Sequence, residues 1–192
     1  MLIKDWKKDV FTIPNMLSLF RLVLIPVYVG IYLNASQPKD YFMAGTILAV
    51  SCLTDLIDGQ IARHFNMISN LGKILDPIAD KVTQLALVIC LSIRYPVLNW
   101  VLTLFLVKEF VQTGMAYARF RQGKALPGAI PAGKACTTVL FTSLTLLVLM
   151  PNLDLRIVTA FAAVDSLFLG YALIRYIFAF FGKHAKVQDI EL

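Results

Sequence analysis

Apolar residues dominate six stretches of the chain, at approximately 15 to 34, 41 to 64, 71 to 94, 97 to 121, 132 to 150 and 155 to 182. Each offers about the 20 helical residues needed to cross roughly 30 Å of hydrocarbon. The segments between them, "NASQPKD", "NMISN", "RYPVLN", "RQGKALPGAIP" and "MPNLD", carry the Gly, Pro, Asn and Asp of turns and interfaces. The pattern predicts an all-α integral membrane protein with six transmembrane helices and both termini on one side. With no repeat, low-complexity tract or long linker, it reads as one membrane domain over 1–192. Residues 1–14 differ, with Lys4, Lys7 and Lys8 set among Asp5 and Asp9, and Trp6 and Phe11 as interfacial anchors. They predict a short amphipathic helix lying on the bilayer rather than a cleavable leader, since no small-residue cleavage site follows.

Composition agrees: 58% of the residues are hydrophobic and 16% charged, far from the balance of a soluble globular chain. The net charge of +6 raises nucleic acid as a partner, but no basic run interleaved with aromatics occurs. Its distribution is more telling. Lys4, Lys7, Lys8, Arg63, Lys73, Arg119, Arg121, Lys124, Lys134, Lys183 and Lys186 fall on the side of the N-terminus, against Lys39, Arg94 and Arg156 on the other. Under the positive-inside rule both termini are cytoplasmic. Cys52, Cys90 and Cys136 sit in apolar segments without metal-ligand spacing, as small buried hydrophobes do.

One region breaks the apolar pattern. In "TDLIDGQIARHFNMISNLGKILDPIADK", Asp55 and Asp58 are three apart and Asp76 and Asp80 four apart, so each pair shares a face of its own helix. The two pairs flank the break between the second and third spans, at the cytoplasmic side. A carboxylate at membrane depth costs on the order of 2.5–3.5 kcal/mol on insertion scales, so four together need cations. Lys81 and Arg63 supply part. The all-oxygen donor set suits Mg²⁺ or Mn²⁺ better than zinc. Gly59 and Gly72 leave room for something bulky to approach the backbone. Spacing alone leaves three readings open: a salt-bridged structural face, the cation path of a transporter, and metal-dependent catalysis.

The residues themselves go further. Asp55, Asp58, Gly59, Ala62, Arg63, Gly72, Asp76 and Asp80 reproduce, at every spacing, the D-x2-D-G-x2-A-R-x8-G-x3-D-x3-D signature, and the chain thereby resembles the CDP-alcohol phosphotransferase family. The resemblance implies transfer of a substituted phosphate from a CDP-linked donor to an alcohol, with release of CMP. It implies two divalent cations, Mg²⁺ or Mn²⁺, held by Asp55, Asp58, Asp76 and Asp80, with Asp80 also the general base. It assigns Gly59, Ala62 and Arg63, with Asp55, Asp58 and Gly72, to the CDP moiety, and it implies a homodimer in a cell membrane, a bacterial inner membrane suiting the short chain.

The acceptor is read from weaker features. "LGKILDPIADK", "TIPNMLSLFRLVLIPVYV" and "KEFVQTG" are similar to members that act on glycerol 3-phosphate or phosphatidylglycerol. CDP-diacylglycerol and glycerol 3-phosphate are therefore the expected substrates, with phosphatidylglycerol, giving cardiolipin, as the alternative acceptor. Lys73, Lys81, Lys108, Arg119 and Lys134 are the candidate acceptor-binding cations. One departure stands out: the glycerophosphate group shows Arg-Glu-Phe where this chain has Lys108, Glu109 and Phe110, and a second Arg where it has Met115 and Ala116. Lys108 and Glu109 point about 100° apart on a helix, so each is expected to pair with another helix, Glu109 with Arg21 or Lys81. Asp165 is expected to be structural or to lie at a dimer interface. The transporter reading predicts inverted repeats, and none is visible between the two halves.

Overall fold

Turn chemistry places the helix ends. Thr12 is extended (φ −92°, ψ 149°) and Pro14 falls in the first turn, where a missing N–H costs nothing, so a helix starts at Ile13. It ends at Asn34, whose Nδ2 donates to the carbonyl of Gly30 at 2.7 Å. A computed structural model of the chain describes residues 12–64, 72–122 and 131–181, and all regular structure among them is helical. The elements are α1 (Ile13–Leu33), α2 (Pro38–His64), α3 (Gly72–Arg94), a 3₁₀ turn (Pro96–Leu98), α4 (Asn99–Arg121), α5 (Pro131–Leu149) and α6 (Leu155–Phe181).

The ends of α2 and α6 show the same logic. Pro38 opens α2, and Asp40 Oδ2 accepts the backbone N–H groups of Ser36 and Gln37, each at 2.9 Å. These two donors, with Lys39 adding its charge, hold the Asp40 carboxyl below the usual carboxylate range. Asp154 Oδ1 accepts the N–H of Arg156 at 2.8 Å just before α6. Pro77 lies inside α3, yet the helix continues unbroken through it.

The helices match the six expected stretches to within a few residues. The expected interfacial helix over 1–14 is a partial exception: Ile13 and Pro14 belong to α1, and residues 1–11 lie outside the described residues. The six helices have 21, 27, 23, 23, 19 and 27 residues. Three of them, over Asn15–Leu33, Pro131–Leu149 and Leu155–Phe180, are long and apolar enough to cross a membrane. By contrast, α2, α3 and α4 are long enough but carry the charged residues that interest us, which dilutes their hydropathy.

The chain forms two compact units. The first comprises α1, α2, α3 as far as Cys90, and Leu147–Pro151. Within it α1 packs on α2. The ring centroids of Tyr28 and Tyr32 lie 5.7 Å apart, and those of Tyr32 and Tyr41 5.4 Å apart in an edge-on contact, so aromatic packing ties the two helices. A Cβ at Gly45 would meet the end of the Leu149 side chain, which packs against the glycine there.

Helix α1 is inverted relative to a helix of a water-soluble protein. It buries Asn15, Ser18 and Arg21 along with Tyr28 and Tyr32, and it exposes Met16, Leu19, Phe20, Val23 and Val27. In water that arrangement would lose the hydrophobic term entirely. In hydrocarbon it is the stable one, because polar groups seek one another and apolar groups need no shelter.

The second unit comprises Leu91–Leu146 and the chain from Asn152 onward. Here α4 packs on α6, and the 3₁₀ turn packs on both. Its core includes Leu98, Val101, Phe105, Leu140, Leu144, Val158 and Leu169, all essentially inaccessible. A Cβ at Gly133 would run into the hydroxyl end of Tyr176, whose ring reaches from α6 to the backbone of α5 there.

Candidate active site

Both halves of the acidic motif lie at the helix ends that face the same connection. Asp55, Asp58, Gly59, Ala62 and Arg63 belong to the last turns of α2, and Gly72 is the first residue of α3. Asp58 is about 9 Å along the axis from the end of α2, and Asp76 about 6 Å from the start of α3, at 1.5 Å per residue. The side chains of Asp55, Asp58, Ala62, Arg63 and Lys73 lie outside what the structure describes.

The side chains of Asp76 and Asp80 are described, and both are held from α1. Ser18 Oγ donates to Asp76 Oδ1 at 2.5 Å, and Arg21 Nη1 donates to Asp80 Oδ1 at 2.6 Å. The pairs rise together along both helices, 18 with 76 and 21 with 80, so α1 and α3 run in the same direction. Ser18 and Arg21 are 0% and 2% exposed, whereas the side chain of Asp80 is 47% exposed. The donors are thus fixed in the protein and the carboxylates reach toward the open side.

Energetics assign these contacts a role. A charge-assisted hydrogen bond contributes on the order of 1.5–3 kcal/mol when shielded. For the half-exposed Asp80, solvent screening reduces the ion pair to roughly 1 kcal/mol or less. Arg21 needs the carboxylate more than the carboxylate needs Arg21, because a buried guanidinium at membrane depth is costly alone.

The donor chemistry fits a hard divalent cation. Asp76 and Asp80 share one face of α3, and both offer carboxylate oxygen, with about four lone-pair sites per group. They are two of the four expected ligands. Among the described residues no group of three or more possible metal-ligating side chains occurs, since the other two carboxylates fall outside that set.

The candidate acceptor cations are dispersed in their duties. Lys81 follows Asp80 on α3 and is partly buried. Lys108, 5% exposed, pairs with its own neighbour Glu109, Nζ to Oε1 at 2.5 Å. Four methylenes let the lysine curl across the 100° between adjacent positions, so the two neighbours also meet each other. Arg21, in turn, has Asp80 as its ion-pair partner. Arg119 Nη2 donates to the carbonyls of Ala179 and Phe180, at 2.9 and 3.1 Å, and its guanidinium lies 5.3 Å from the Phe180 ring centroid. It therefore caps the C-terminal end of α6. Beside it a cavity of about 150 Å³ is lined by Gln112, Met115, Arg119 and Tyr176, with Gln112 Oε1 buried without a hydrogen-bond partner. Lys134 is exposed near the start of α5. Asp165, 1% exposed, accepts from Ser143 Oγ, which lies 2.7 Å from both of its oxygens, so it joins α6 to α5 within one chain.

Comparison with known proteins decides what the acidic face belongs to. The profile of the CDP-alcohol phosphatidyltransferases matches residues 11–178, nearly the whole chain. The chain belongs to this family. The CMP-forming cardiolipin synthase of Streptomyces coelicolor is 34% identical over 142 residues, covering 73% of this chain and 66% of that protein. The CDP-diacylglycerol–glycerol-3-phosphate 3-phosphatidyltransferase of Escherichia coli K12 is 32% identical over 149 residues, covering 74% of this chain and 80% of that protein. The same enzyme of Shigella flexneri matches equally. Membership in the CDP-alcohol phosphatidyltransferase family selects group transfer over a cation path, and both expected reactions are represented among the relatives.

Sequence reasoning about this phosphatidyltransferase missed Ser18. The available signal was polar spacing: Asn15, Ser18 and Arg21 recur every three residues in an otherwise apolar helix, a stripe that hydrocarbon does not tolerate without partners.

Proposed function

We propose that the chain is a CDP-diacylglycerol-dependent phosphatidyltransferase that joins the phosphatidyl group to glycerol 3-phosphate, giving phosphatidylglycerol phosphate and CMP. The observation that carries this is the complete eight-residue motif, with Asp76 and Asp80 aligned on one face of α3 and held from α1. Asp55, Asp58, Asp76 and Asp80 would hold two divalent cations, Mg²⁺ or Mn²⁺, which when bound would supply charge neutralisation for the donor's pyrophosphate and the departing CMP. Gly59 and Ala62 leave space for the cytidine, Gly72 allows close approach, and Arg63 faces the donor phosphates. Asp80 accepts the proton of the acceptor hydroxyl. That oxygen attacks the phosphorus bearing the diacylglycerol, the bond to CMP breaks, and CMP leaves with the electron pair.

Six membrane-spanning helices, cytoplasmic termini and a homodimer in the cell membrane complete the reading. They rest on the hydropathy pattern, the distribution of Lys and Arg, and the family resemblance. Placing the site at the cytoplasmic face leaves the diacylglycerol in hydrocarbon while a water-soluble acceptor enters from the other side. Lys73, Lys81, Lys108, Arg119 and Lys134 are the cations proposed to meet the acceptor phosphate.

A second acceptor is favoured by specific observations: the Streptomyces relative forms cardiolipin, and Lys108 and Met115 depart from the glycerophosphate pattern. Purified protein incubated with CDP-diacylglycerol, Mg²⁺ or Mn²⁺ and each alcohol separately distinguishes them. We expect CMP release with glycerol 3-phosphate. Release only with phosphatidylglycerol overturns that choice in favour of cardiolipin synthesis, and release with neither overturns both.

A further inference from the structure

The two hydrogen bonds from α1 do more than anchor a helix. Ser18 and Arg21 reach, one turn apart, the two carboxylates that sit one turn apart on α3, and each donor takes Oδ1 of its partner. A carboxylate side chain has a broad terminal torsion, so its oxygens sweep an arc unless something pins one of them. Ser18 and Arg21 are buried to 0% and 2% exposure, so the pinning groups do not themselves move. With Oδ1 fixed, the direction of Oδ2 is fixed as well.

We propose that Ser18 and Arg21 are positioning residues of the phosphotransfer site, setting the orientations in which Asp76 and Asp80 meet the divalent cations. This rests on the reading of those two carboxylates as metal ligands. Groups that hold ligands in place typically govern about 10- to 100-fold in metal affinity or activity. The donors act differently. Ser18 supplies one directional hydrogen bond without charge, so it orients Asp76 while leaving its ligand strength intact. Arg21 supplies direction and charge, so it orients Asp80 through an ion pair as well as a hydrogen bond.

The test compares two variants of equal volume in the full-length purified protein. Ser18→Val and Ser18→Thr both add bulk at a site with no spare room, but only threonine keeps the hydroxyl. Mn²⁺ affinity is measured from the electron paramagnetic resonance signal of free Mn²⁺ in the presence of CDP-diacylglycerol, together with kcat and KM. If Ser18 positions Asp76, Ser18→Val weakens Mn²⁺ binding about 10-fold or more, and Ser18→Thr stays within about threefold of the parent. If Ser18 only fills space, the two variants fall equally, and the proposal is overturned. For Arg21, Arg21→Lys keeps the charge and loses the fork, and it is expected to bind Mn²⁺ about 10-fold more weakly while remaining folded by circular dichroism. Unchanged affinity in Arg21→Lys removes Arg21 from the role. Asp76→Asn separates this inference from the reading beneath it. Parental Mn²⁺ binding by Asp76→Asn removes the metal site itself, whereas lost binding with equal Ser18→Val and Ser18→Thr removes only the positioning.

Discussion

Asp80 carries three demands. It accepts the Arg21 hydrogen bond through Oδ1, and in the proposed reaction it helps hold the divalent cations and takes the acceptor's proton. Asparagine at this position retains an oxygen for Arg21 but has no basicity. Asp80→Asn is therefore expected to stay folded and bind CDP-diacylglycerol while CMP formation falls about 10²- to 10⁴-fold, the usual worth of a positioned base. Full activity in this variant removes Asp80 from the base role. The Asp residues were legible in the sequence because their spacing is local to one helix face. The partners of Arg21, Lys108 and Asp165 were not, because they depend on which residue of another helix stands at the same height, or on how a long side chain bends. No window of sequence contains that information.

The element scale separates helices whose limits are written in local chemistry from helices whose faces are set by distant neighbours. Pro38, Asp40 and Asn34 fix the α1–α2 connection with contacts no more than four residues apart, and such contacts can be read directly from the sequence. Asp40 also gives this element a pH dependence of known sign. Its folded pKa is lowered, so its contribution is complete above the ordinary carboxylate pKa and is lost as pH falls through the lowered one. Hydrogen exchange checks this at the amides of Ser36 and Gln37. Their protection, corrected for intrinsic rates, is expected to exceed that of Asp40→Ala at neutral pH and to converge with it in acid. Equal protection at neutral pH would show that the carboxylate does not hold this turn. The inverted surface of α1, by contrast, depends on the solvent. The sequence showed that the helix is apolar but not that its polar stripe faces inward, because the stripe is only three residues deep.

At the scale of the whole molecule, six helical stretches were visible from hydropathy and turn residues, and their limits agree with α1 to α6 to within a few residues. The proposed orientation can be tested at two exposed positions on opposite sides of the membrane, Ser36 before α2 and Gln122 after α4. In intact cells, a membrane-impermeant maleimide is expected to label Ser36→Cys and to label Gln122→Cys only after lysis. The reverse pattern would invert the topology and place the acidic face on the outside. The division of labour among helices also explains why hydropathy singled out only α1, α5 and α6. The charges that dilute α2, α3 and α4 include every carboxylate of the motif.

The separation of 59 residues between Arg21 and Asp80 has a consequence during synthesis. At about 5–20 residues per second, Arg21 is made roughly 3–12 seconds before the carboxylate of Asp80 that pairs with it. Through that interval the newborn helix holds its arginine without Asp80, and an arginine at the centre of a span costs about 2.5–3.5 kcal/mol to insert. Its span has a mean hydropathy of 2.0, the highest of the three apolar helices, which offsets the cost while α1 waits. The surplus apolarity of the first helix is thus a provision for the order in which the chain is born. A variant with α1 trimmed of exposed residues such as Val23 or Val27 would reveal the debt at the translocon, before any defect in the finished enzyme.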